Sequence, residues 1–169
     1  MIGREIRLLR LGDCGRIGPL LREIWLDAYH GIQTDEELLA QSYKVHRPEQ
    51  IAAEIDDPNI HSVVAECDNR IIGHARSDLG DGVVEIFRLY VLREFYGQGI
   101  GKALLREVDT FFGPNREVWL DVYEDNKRAL NFYRSQGYEI VIRATDVQTG
   151  GRDVFHYRMR KRRVEAGSI

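Results

Sequence analysis

A glycine-rich segment contains the residue types that most clearly suggest chemistry in this chain. Residues 96–102 read Tyr-Gly-Gln-Gly-Ile-Gly-Lys and lie between a predicted strand and a predicted helix. Glycines allow backbone N–H groups to approach an anion closely, and the N-terminus of a helix adds a favourable dipole. The segment therefore predicts a site for a phosphate group or another anion. The alternative is a turn that only joins the strand to the helix.

Two common phosphate-binding motifs do not fit this segment. A Walker A loop needs a glycine five residues before Gly101 and a Ser or Thr after Lys102, where the chain has Tyr96 and Ala103. A dinucleotide-binding fingerprint that begins at Gly97 needs a small residue in place of Lys102 and a position in a first βαβ unit. Both motifs are excluded, so the segment is either another kind of anion site or a turn that only joins the strand to the helix.

The histidines and cysteines indicate neither a metal centre nor a disulfide framework. None of the five histidines has the spacing of a metal-binding motif such as HExxH. The two cysteines, Cys14 and Cys67, form no CxxC pair and are predicted to pack as small apolar side chains. We therefore predict a site without a metal ion.

Length, charge and hydropathy limit the kind of protein that contains this segment. The chain has 169 residues, which suits one domain, and its net charge is −3. A mildly acidic chain is a poor ligand for nucleic acid, and the longest apolar runs are too short to span a bilayer. The charged residues near the N-terminus do not match a signal peptide. These observations predict a single cytoplasmic domain over residues 1–169 that binds neither nucleic acid nor membrane.

The elements that must position the glycine segment alternate between helical and strand patterns. An apolar stretch at residues 6–9 predicts a first strand, and three helices follow, the second with a capping-box pattern at Thr34 and Glu37. Three strands, a helix, a strand, a helix and two strands complete the chain, with a turn at Gly150 and Gly151. The order β-α-α-α-β-β-β-α-β-α-β-β predicts an α/β (α+β) fold, in which helices cover a mixed sheet of about seven strands.

The residues on both sides of the glycine segment resemble those of a known family. Residues 88–95 (RLYVLREF) and 102–105 (KALL) are similar to motif A of the GNAT superfamily of N-acetyltransferases. Tyr96 stands where this family usually has Gln or Arg. The resemblance covers about residues 4–160. It continues into motif B of the family with residues 119–126 (WLDVYEDN), Ala129, Phe132, Tyr133, Gly137 and Tyr138.

The resemblance implies a centrally splayed sheet in which acetyl-CoA lies between two parallel strands that separate. Backbone groups of Leu89, Tyr90 and Val91 would follow the pantetheine arm, and an N–H near Val91 would polarise the thioester carbonyl. The diphosphate would lie against the glycine segment, and Asn126 would contact the pantetheine or the sulfur end of the cofactor. The residues that the resemblance assigns to the diphosphate are Gly97, Gln98, Gly99, Ile100, Gly101 and Lys102.

The acetyl transfer that the resemblance implies needs a base and an acid. An alkylammonium with a pKa near ~10 must lose a proton before its nitrogen attacks the thioester. The departing thiolate then needs a proton, which the resemblance assigns to the hydroxyl of Tyr133. Asp121 and Glu85, on two predicted strands, are both candidate bases, directly or through water. The alternatives are a salt-bridged carboxylate for each of these two residues and a packed aromatic ring for Tyr133.

The acceptor is predicted to lie beside the first helices, where Trp25, Tyr29 and His30 precede an acidic run. The predicted reaction transfers the acetyl group of acetyl-CoA to a primary amine of a small molecule or a polyamine. The amine attacks the thioester directly in a ternary complex. Two alternatives stay open at this point. One is acetylation of a protein or peptide, and the other is CoA binding without turnover.

Two further expectations concern the end of the chain and its assembly. The basic residues between Arg158 and Arg163 predict a solvated tail. The fold core is therefore placed at about residues 4–160, and residues 161–169 are expected to form a flexible basic tail. Because dimers are frequent in the family, a homodimer is the expected assembly.

Overall fold

The computed structural model describes residues 3–146 and 153–163 of the chain, so the predicted turn at Gly150 and Gly151 lies outside the described residues. Within this part, five α-helices and seven strands follow one another in the predicted order. They are β1 (Arg4–Leu8), α1 (Cys14–Ala28), α2 (Asp35–Val45), α3 (Pro48–Ala53), β2 (Ile60–Cys67), β3 (Arg70–Gly80), β4 (Val83–Val91), α4 (Ile100–Thr110), β5 (Val118–Tyr123), α5 (Lys127–Ser135), β6 (Glu139–Asp146) and β7 (Val154–Lys161).

The strands form one sheet in the order β1-β2-β3-β4-β5-β7-β6. Within the described part of the chain, β4 and β5 run parallel and every other neighbouring pair is antiparallel. The helix α4 connects the two parallel strands, as a crossover between parallel neighbours requires. The predicted mixed sheet of about seven strands is therefore confirmed.

Neighbouring residues of β3 show that helices cover both faces of the sheet. The hydroxyl of Ser77 donates a hydrogen bond to the backbone carbonyl of Val108 in α4 over 2.8 Å. The preceding residue, Arg76, pairs with Glu54 at the end of α3 over 3.0 Å. Successive side chains of a strand point to opposite faces, so α4 and α3 lie on opposite sides. The core between these layers contains the fully buried side chains of Ile17, Leu21, Leu104, Leu120 and Met159.

Local sequence signals explain where two of the helices begin. The hydroxyl of Thr34 accepts a hydrogen bond from the backbone N–H of Glu37 over 3.3 Å. The Glu37 carboxylate accepts one from the backbone N–H of Thr34 over 2.9 Å, which confirms the predicted capping box. Pro48 occupies the first turn of α3, where its missing N–H costs no helical hydrogen bond.

The basic residues near the end of the chain belong to the fold as far as Arg163, which corrects the predicted start of the tail. Strand β7 continues to Lys161, whose ammonium lies 3.0 Å from the carboxylate of Asp109. The guanidinium of Arg163 lies 2.7 Å from the same carboxylate, which is almost fully buried. A buried carboxylate needs cationic partners, and these two side chains supply them. Residues 164–169 lie outside the described residues.

Candidate active site

A cleft opens where β4 and β5 separate. The two strands are joined by three register pairs, from Val84 and Val118 to Ile86 and Leu120. Just beyond these pairs β4 has a bulge, since its register with β3 passes from Ile86 to Arg88. The strands then leave a cleft of about 860 Å³ between them. The sheet is therefore splayed at its centre, as the sequence analysis predicts.

The end of β4 presents backbone groups to this cleft. Leu89, Tyr90 and Val91 pair with β3 on one side, and within the described residues no strand pairs with them on the other. All three residues line the cleft. Unpaired N–H and C=O groups at a strand edge can bind a ligand that carries amide groups, as an added strand does.

The glycine segment forms the end of the cleft nearest to α4. Gly97 and Gly99 have positive φ angles of 72° and 81°, which glycine adopts without strain. A Cβ added at either position meets no atom within 4 Å, so both backbones face open space. Gly99 is also the N-cap of α4, whose first N–H groups have no partner in the helix. This end of the cleft therefore has the geometry of an anion site.

Most of the predicted loop residues contribute to this end of the cleft. Ile100, Gly101 and Lys102 line it together with Gly97 and Gly99. Gln98 does not line it, because the side-chain amide of Gln98 turns away and donates to the carbonyl of Glu94 over 3.1 Å.

Tyr133 lies inside the cleft and is 8% exposed. The ring packs against Phe132 and Tyr138, with centroid distances of 5.2 and 5.6 Å. Within the described residues the hydroxyl makes no hydrogen bond, so it is available to a ligand. Burial raises the pKa of Tyr133 above its ordinary value. The hydroxyl is therefore protonated at neutral pH and can donate a proton or a hydrogen bond.

Asn126 also lines the cleft, where it acts as the N-cap of α5. Its side-chain oxygen accepts a hydrogen bond from the backbone N–H of Ala129 over 3.1 Å. This bond satisfies one of the free donors at the helix end and directs α5 away from β5. Within the described residues the amide nitrogen of Asn126 has no partner, so that group can contact a ligand.

The two candidate bases share one arginine. Arg158 of β7 makes two hydrogen bonds of 2.7 Å to the carboxylate of Glu85 and one of 3.2 Å to that of Asp121. The Asp121 side chain is 47% exposed and lines the cleft. Glu85 is less exposed and does not line it. The structure therefore brings both carboxylates together but only Asp121 into the cleft.

Aromatic side chains form the opposite end of the cleft. The hydroxyl groups of Tyr29 and Tyr90 lie 3.1 Å apart, and the rings of Tyr29 and Tyr123 meet edge to face at 5.2 Å. The side-chain amide of Gln33 donates to the Tyr123 hydroxyl over 3.2 Å. Burial raises the pKa of Tyr29 and of Tyr90, which keeps both hydroxyls neutral. With Trp25, these residues make a neutral wall with hydrogen-bonding hydroxyls.

His30 is not part of this wall, although the sequence analysis places it with Trp25 and Tyr29. Its side chain is exposed, and its ring nitrogen lies 3.8 Å from the carboxylate of Asp35. The turn after α1 directs this ring to the surface. Trp25 and Tyr29, in contrast, line the cleft as expected.

In residues 3–146 and 153–163, no group of three or more His, Cys, Asp or Glu side chains is arranged to hold a metal ion. None of the helices in the same part of the chain combines the length and the apolar character that crossing a membrane requires.

Comparison with known proteins identifies the family. The model of the Acetyltransferase (GNAT) family matches residues 20–138, which include the glycine segment, Asp121 and Tyr133. The chain belongs to the GNAT family. The family that the two sequence motifs predict is therefore confirmed, and the splayed strands of this GNAT chain lie within the matched stretch.

Relatives of this GNAT chain differ in the acceptor that their names state. It is 27% identical over 142 residues to a spermidine N(1)-acetyltransferase of Thermoplasma acidophilum, covering 80% of this chain and 88% of the relative. It is 34% identical over 130 residues to the N-alpha-acetyltransferase RimI of Mycobacterium tuberculosis, and the match covers 72% of this chain and 82% of RimI. Uncharacterized N-acetyltransferases of M. tuberculosis and M. bovis match over only 60% of their length and 54% of this chain, at 36% identity over 95 residues.

A solved structure shows the same fold over nearly the whole chain. The crystal structure of the PaiA N-acetyltransferase of T. acidophilum, in complex with coenzyme A, superposes with a TM-score of 0.81. The two chains are 26% identical, and the superposition covers 95% of this chain and 99% of PaiA. The predicted GNAT-like fold is therefore confirmed.

Two residues of the aromatic wall are absent from the sequence predictions. Tyr123 follows Asp121 by two positions on β5, so the period of a strand places both on one face and would have indicated it. Gln33 lies in the connection between α1 and α2 and is 4% exposed. No periodicity applies in a connection, so no sequence signal indicates Gln33.

Proposed function

We propose that this chain transfers the acetyl group of acetyl-CoA to a primary amine by direct attack in a ternary complex. One observation carries the proposal: Tyr133 is buried in the cleft, and its hydroxyl has no hydrogen-bond partner among the described residues. The glycine segment and the aromatic wall line the same cleft. The other parts of the site support a step-by-step account of this reaction.

The cofactor occupies the end of the cleft formed by the glycine segment. Its diphosphate binds the backbone N–H groups at Gly97, Gly99 and Gly101 and the N-terminus of α4, and Lys102 adds a full positive charge. The amide groups of its pantetheine arm bind the unpaired edge of β4, and Asn126 contacts this arm. A backbone N–H near Val91 then polarises the thioester carbonyl.

The acceptor nitrogen must lose two protons and the departing thiolate must gain one, and different residues perform these transfers. Asp121, directly or through water, removes a proton from the acceptor ammonium, and the free amine attacks the thioester carbon. The carbon–sulfur bond breaks as Tyr133 donates its proton to the departing thiolate. The nitrogen of the new amide then loses its second proton, which restores the Tyr133 hydroxyl directly or through water, and Asp121 releases the first proton to solvent. Asp121 is favoured over Glu85 because it lines the cleft, whereas Glu85 is held by two bonds to Arg158 outside it.

The acceptor is a small-molecule amine or a polyamine that binds against the aromatic wall. The rings of Trp25, Tyr29 and Tyr123 suit an ammonium group, since aromatic faces attract cations, and Asp121 adds a negative charge. The similarity to a spermidine acetyltransferase supports this class. The alternative acceptor is a protein or peptide amine, which the similarity to RimI supports.

An assay of thiol release from acetyl-CoA tests this function against a panel of amines. The panel contains polyamines, amino acids, aminoglycosides and peptides, each with an amine-free control. We expect thiol release with small amines and none with peptides. Turnover with peptides alone would favour the alternative acceptor. Binding of acetyl-CoA by calorimetry without turnover on any amine would instead support a CoA-binding module without catalysis.

A further inference from the structure

Two positively charged side chains at the cleft have no counter-charge in the described part of the chain. Lys102 and Arg128 both line the cleft, and neither forms an ion pair or a hydrogen bond with any described residue. Arg93, which lines the same cleft, differs because it lies 2.8 Å from the carboxylate of Asp27. Unpaired cations beside an array of free backbone N–H groups indicate that an anionic ligand completes the charge balance.

Arg128 is held in place by an aromatic ring. Its guanidinium carbon lies 3.1 Å from the centre of the Tyr96 ring. Tyr96 directly precedes Gly97, whereas Arg128 lies in the first turn of α5. The contact therefore joins the two sides of the cleft, the glycine segment after β4 and helix α5 after β5, beyond the point where the two strands separate. A guanidinium stacked on a ring keeps its edge N–H groups free, so its plane is fixed while its donors stay available.

We propose that Arg128, positioned by Tyr96, binds the diphosphate of acetyl-CoA from α5, beside the glycine segment. The proposal rests on the proposed function, because it assigns a further contact to the same cofactor. The backbone and the helix end contribute only partial charges, and a diphosphate carries two full negative charges. Lys102 and Arg128 supply two full positive charges at this place, and the planar guanidinium matches phosphate oxygens in pairs.

This assignment also gives Tyr96 a role. A tyrosine cannot neutralise a phosphate, but its ring can fix the cation that does so. Tyr96 is therefore a positioning residue that acts through Arg128. The alternative is that the contact between Tyr96 and Arg128 only stabilises the two sides of the cleft. Its loss would then lower the free energy of unfolding, and a folded variant would keep the wild-type affinity for the cofactor.

Calorimetric titration of acetyl-CoA into three proteins tests the role of Arg128. The proteins are the wild type, Arg128→Gln and the control Arg134→Gln, which removes the same charge from the last turn of the same helix, outside the cleft. We expect Arg128→Gln to raise the Kd about tenfold, the effect of losing one charge-assisted contact. We expect Arg134→Gln to match the wild type. The difference should shrink at high ionic strength.

A second variant and a second ligand show whether the effect of Arg128→Gln arises at the diphosphate and depends on Tyr96. Tyr96→Leu should raise the Kd in the wild-type background and have no added effect in Arg128→Gln, because the ring acts through the arginine. The ligand 3′-dephospho-acetyl-CoA keeps the diphosphate, so Arg128→Gln should weaken its binding by the same factor. Circular dichroism shows whether each variant is folded. If Tyr96→Leu does not fold, the affinity of Arg128→Gln alone decides the proposal.

Each contrary result has one meaning. If Arg128→Gln binds acetyl-CoA like Arg134→Gln, the Arg128 assignment is wrong and the proposed function stands on the wild-type affinity. If the loss disappears with the dephospho ligand, Arg128 binds the 3′-phosphate and the diphosphate assignment is wrong. If the wild type itself fails to bind acetyl-CoA, both the assignment and the proposed function are wrong.

Discussion

The two ends of the cleft are built from different kinds of groups. The loop end is formed by Leu89, Tyr90, Val91 and the glycine segment without Gln98, and it presents mainly backbone groups from one stretch of chain. The aromatic end, formed by Trp25, Tyr29, Gln33, Tyr90 and Tyr123, presents side chains from four separate segments. A backbone site persists when side chains change, whereas a side-chain site changes with each substitution. The same fold can therefore keep one ligand and vary the other.

The two ends also differ in charge. The loop end has two cations, Lys102 and Arg128, that pair with no carboxylate of the described residues, and helix N–H groups, which suit an anion. The aromatic end has neutral hydroxyls. Two histidines lie behind it, His46 against Trp25 and His74 beside Tyr90 in the sheet, and burial lowers the pKa of both, which favours their neutral forms. Asp121 lines the cleft two residues before Tyr123 and shares Arg158 with Glu85, and the guanidinium of Arg88, which also lines the cleft, is paired with Glu54. Under the proposed function the anionic and the amine-bearing ligand bind at different ends, and the following substitutions test that division.

The largest effect is expected at the carboxylates beside the aromatic end. We expect Asp121→Asn to lower kcat about 10² to 10⁴-fold and to remove the fall of the rate at acid pH, since a general base is lost. Glu85→Gln should have a smaller effect, because Glu85 lies outside the cleft. Rate profiles against pH for the two variants measure this. The reverse order would assign the base to Glu85, and unchanged profiles in both would assign it to water or to the acceptor's own free-base fraction.

The next effect concerns Tyr133, which lies between the two ends. Tyr133→Phe keeps the ring and its packing against Phe132 and Tyr138 but deletes the hydroxyl. We expect kcat to fall roughly 10²-fold, as for a lost general acid, while the Kd for acetyl-CoA stays within a few-fold. Single-turnover rates and calorimetry separate the two quantities. A kcat equal to that of the wild type, with chemistry limiting, would remove Tyr133 from the mechanism.

At the loop end, Gly99→Val should block the approach of the diphosphate to the backbone. We expect the Kd for acetyl-CoA to rise well beyond tenfold, which is more than about 1.4 kcal/mol. Because φ of Gly99 is +81°, the substitution also strains the backbone. Gly82→Val is the matched control, since Gly82 has a φ of +80° in the turn between β3 and β4, outside the cleft. Equal affinities of the two variants would contradict the assignment of the loop end.

The smallest effect concerns stability at the aromatic end. His46 packs against Trp25 with ring centres 4.6 Å apart, and burial lowers its pKa to about 3. The unfolded chain binds a proton near pH 6.5, whereas the folded chain does so only near pH 3, so stability falls as the pH drops between these values. From pH 7.5 to 5.5 this histidine should cost about 1 kcal/mol.

Urea unfolding of the wild type and of His46→Asn at the two pH values measures this cost. The Asn side chain keeps an acceptor for the Ser42 hydroxyl, which lies 2.8 Å from the His46 ring nitrogen. The decline in the free energy of unfolding should be smaller by about 1 kcal/mol in the variant. An equal decline in both proteins would show that His46 does not contribute to the pH dependence.

The loop end could be predicted from the sequence because its signals are contiguous. The three glycines, the following helix and the preceding strand occupy one short stretch, and the motif around Tyr133 lies on one strand and helix. Capping at Thr34 follows from residues three apart. The element order, the mixed sheet and the GNAT family were predicted from such local patterns and are confirmed.

The contacts that the sequence does not indicate join residues far apart in the chain. Glu85, Asp121 and Arg158 lie on three strands, and only the sheet order brings them together. The stack of Arg128 on Tyr96 likewise depends on the separation of β4 and β5. Local sequence patterns do not predict distances between residues that lie far apart in the chain. The cytoplasmic location, the homodimer and the catalytic roles of individual residues stay predictions.

The short parallel contact between β4 and β5 has a consequence for folding. Strands β1–β4 come from one continuous stretch of chain and β5–β7 from another, so each half-sheet can form from nearby residues. During synthesis the first stretch emerges before the second, so the three register pairs that join the half-sheets can form only after β5 has emerged. A ligand in the cleft contacts both half-sheets, so its binding stabilises the pairing of β4 with β5. Amide hydrogen exchange at Val84 and Ile86 should therefore slow when the cleft is occupied.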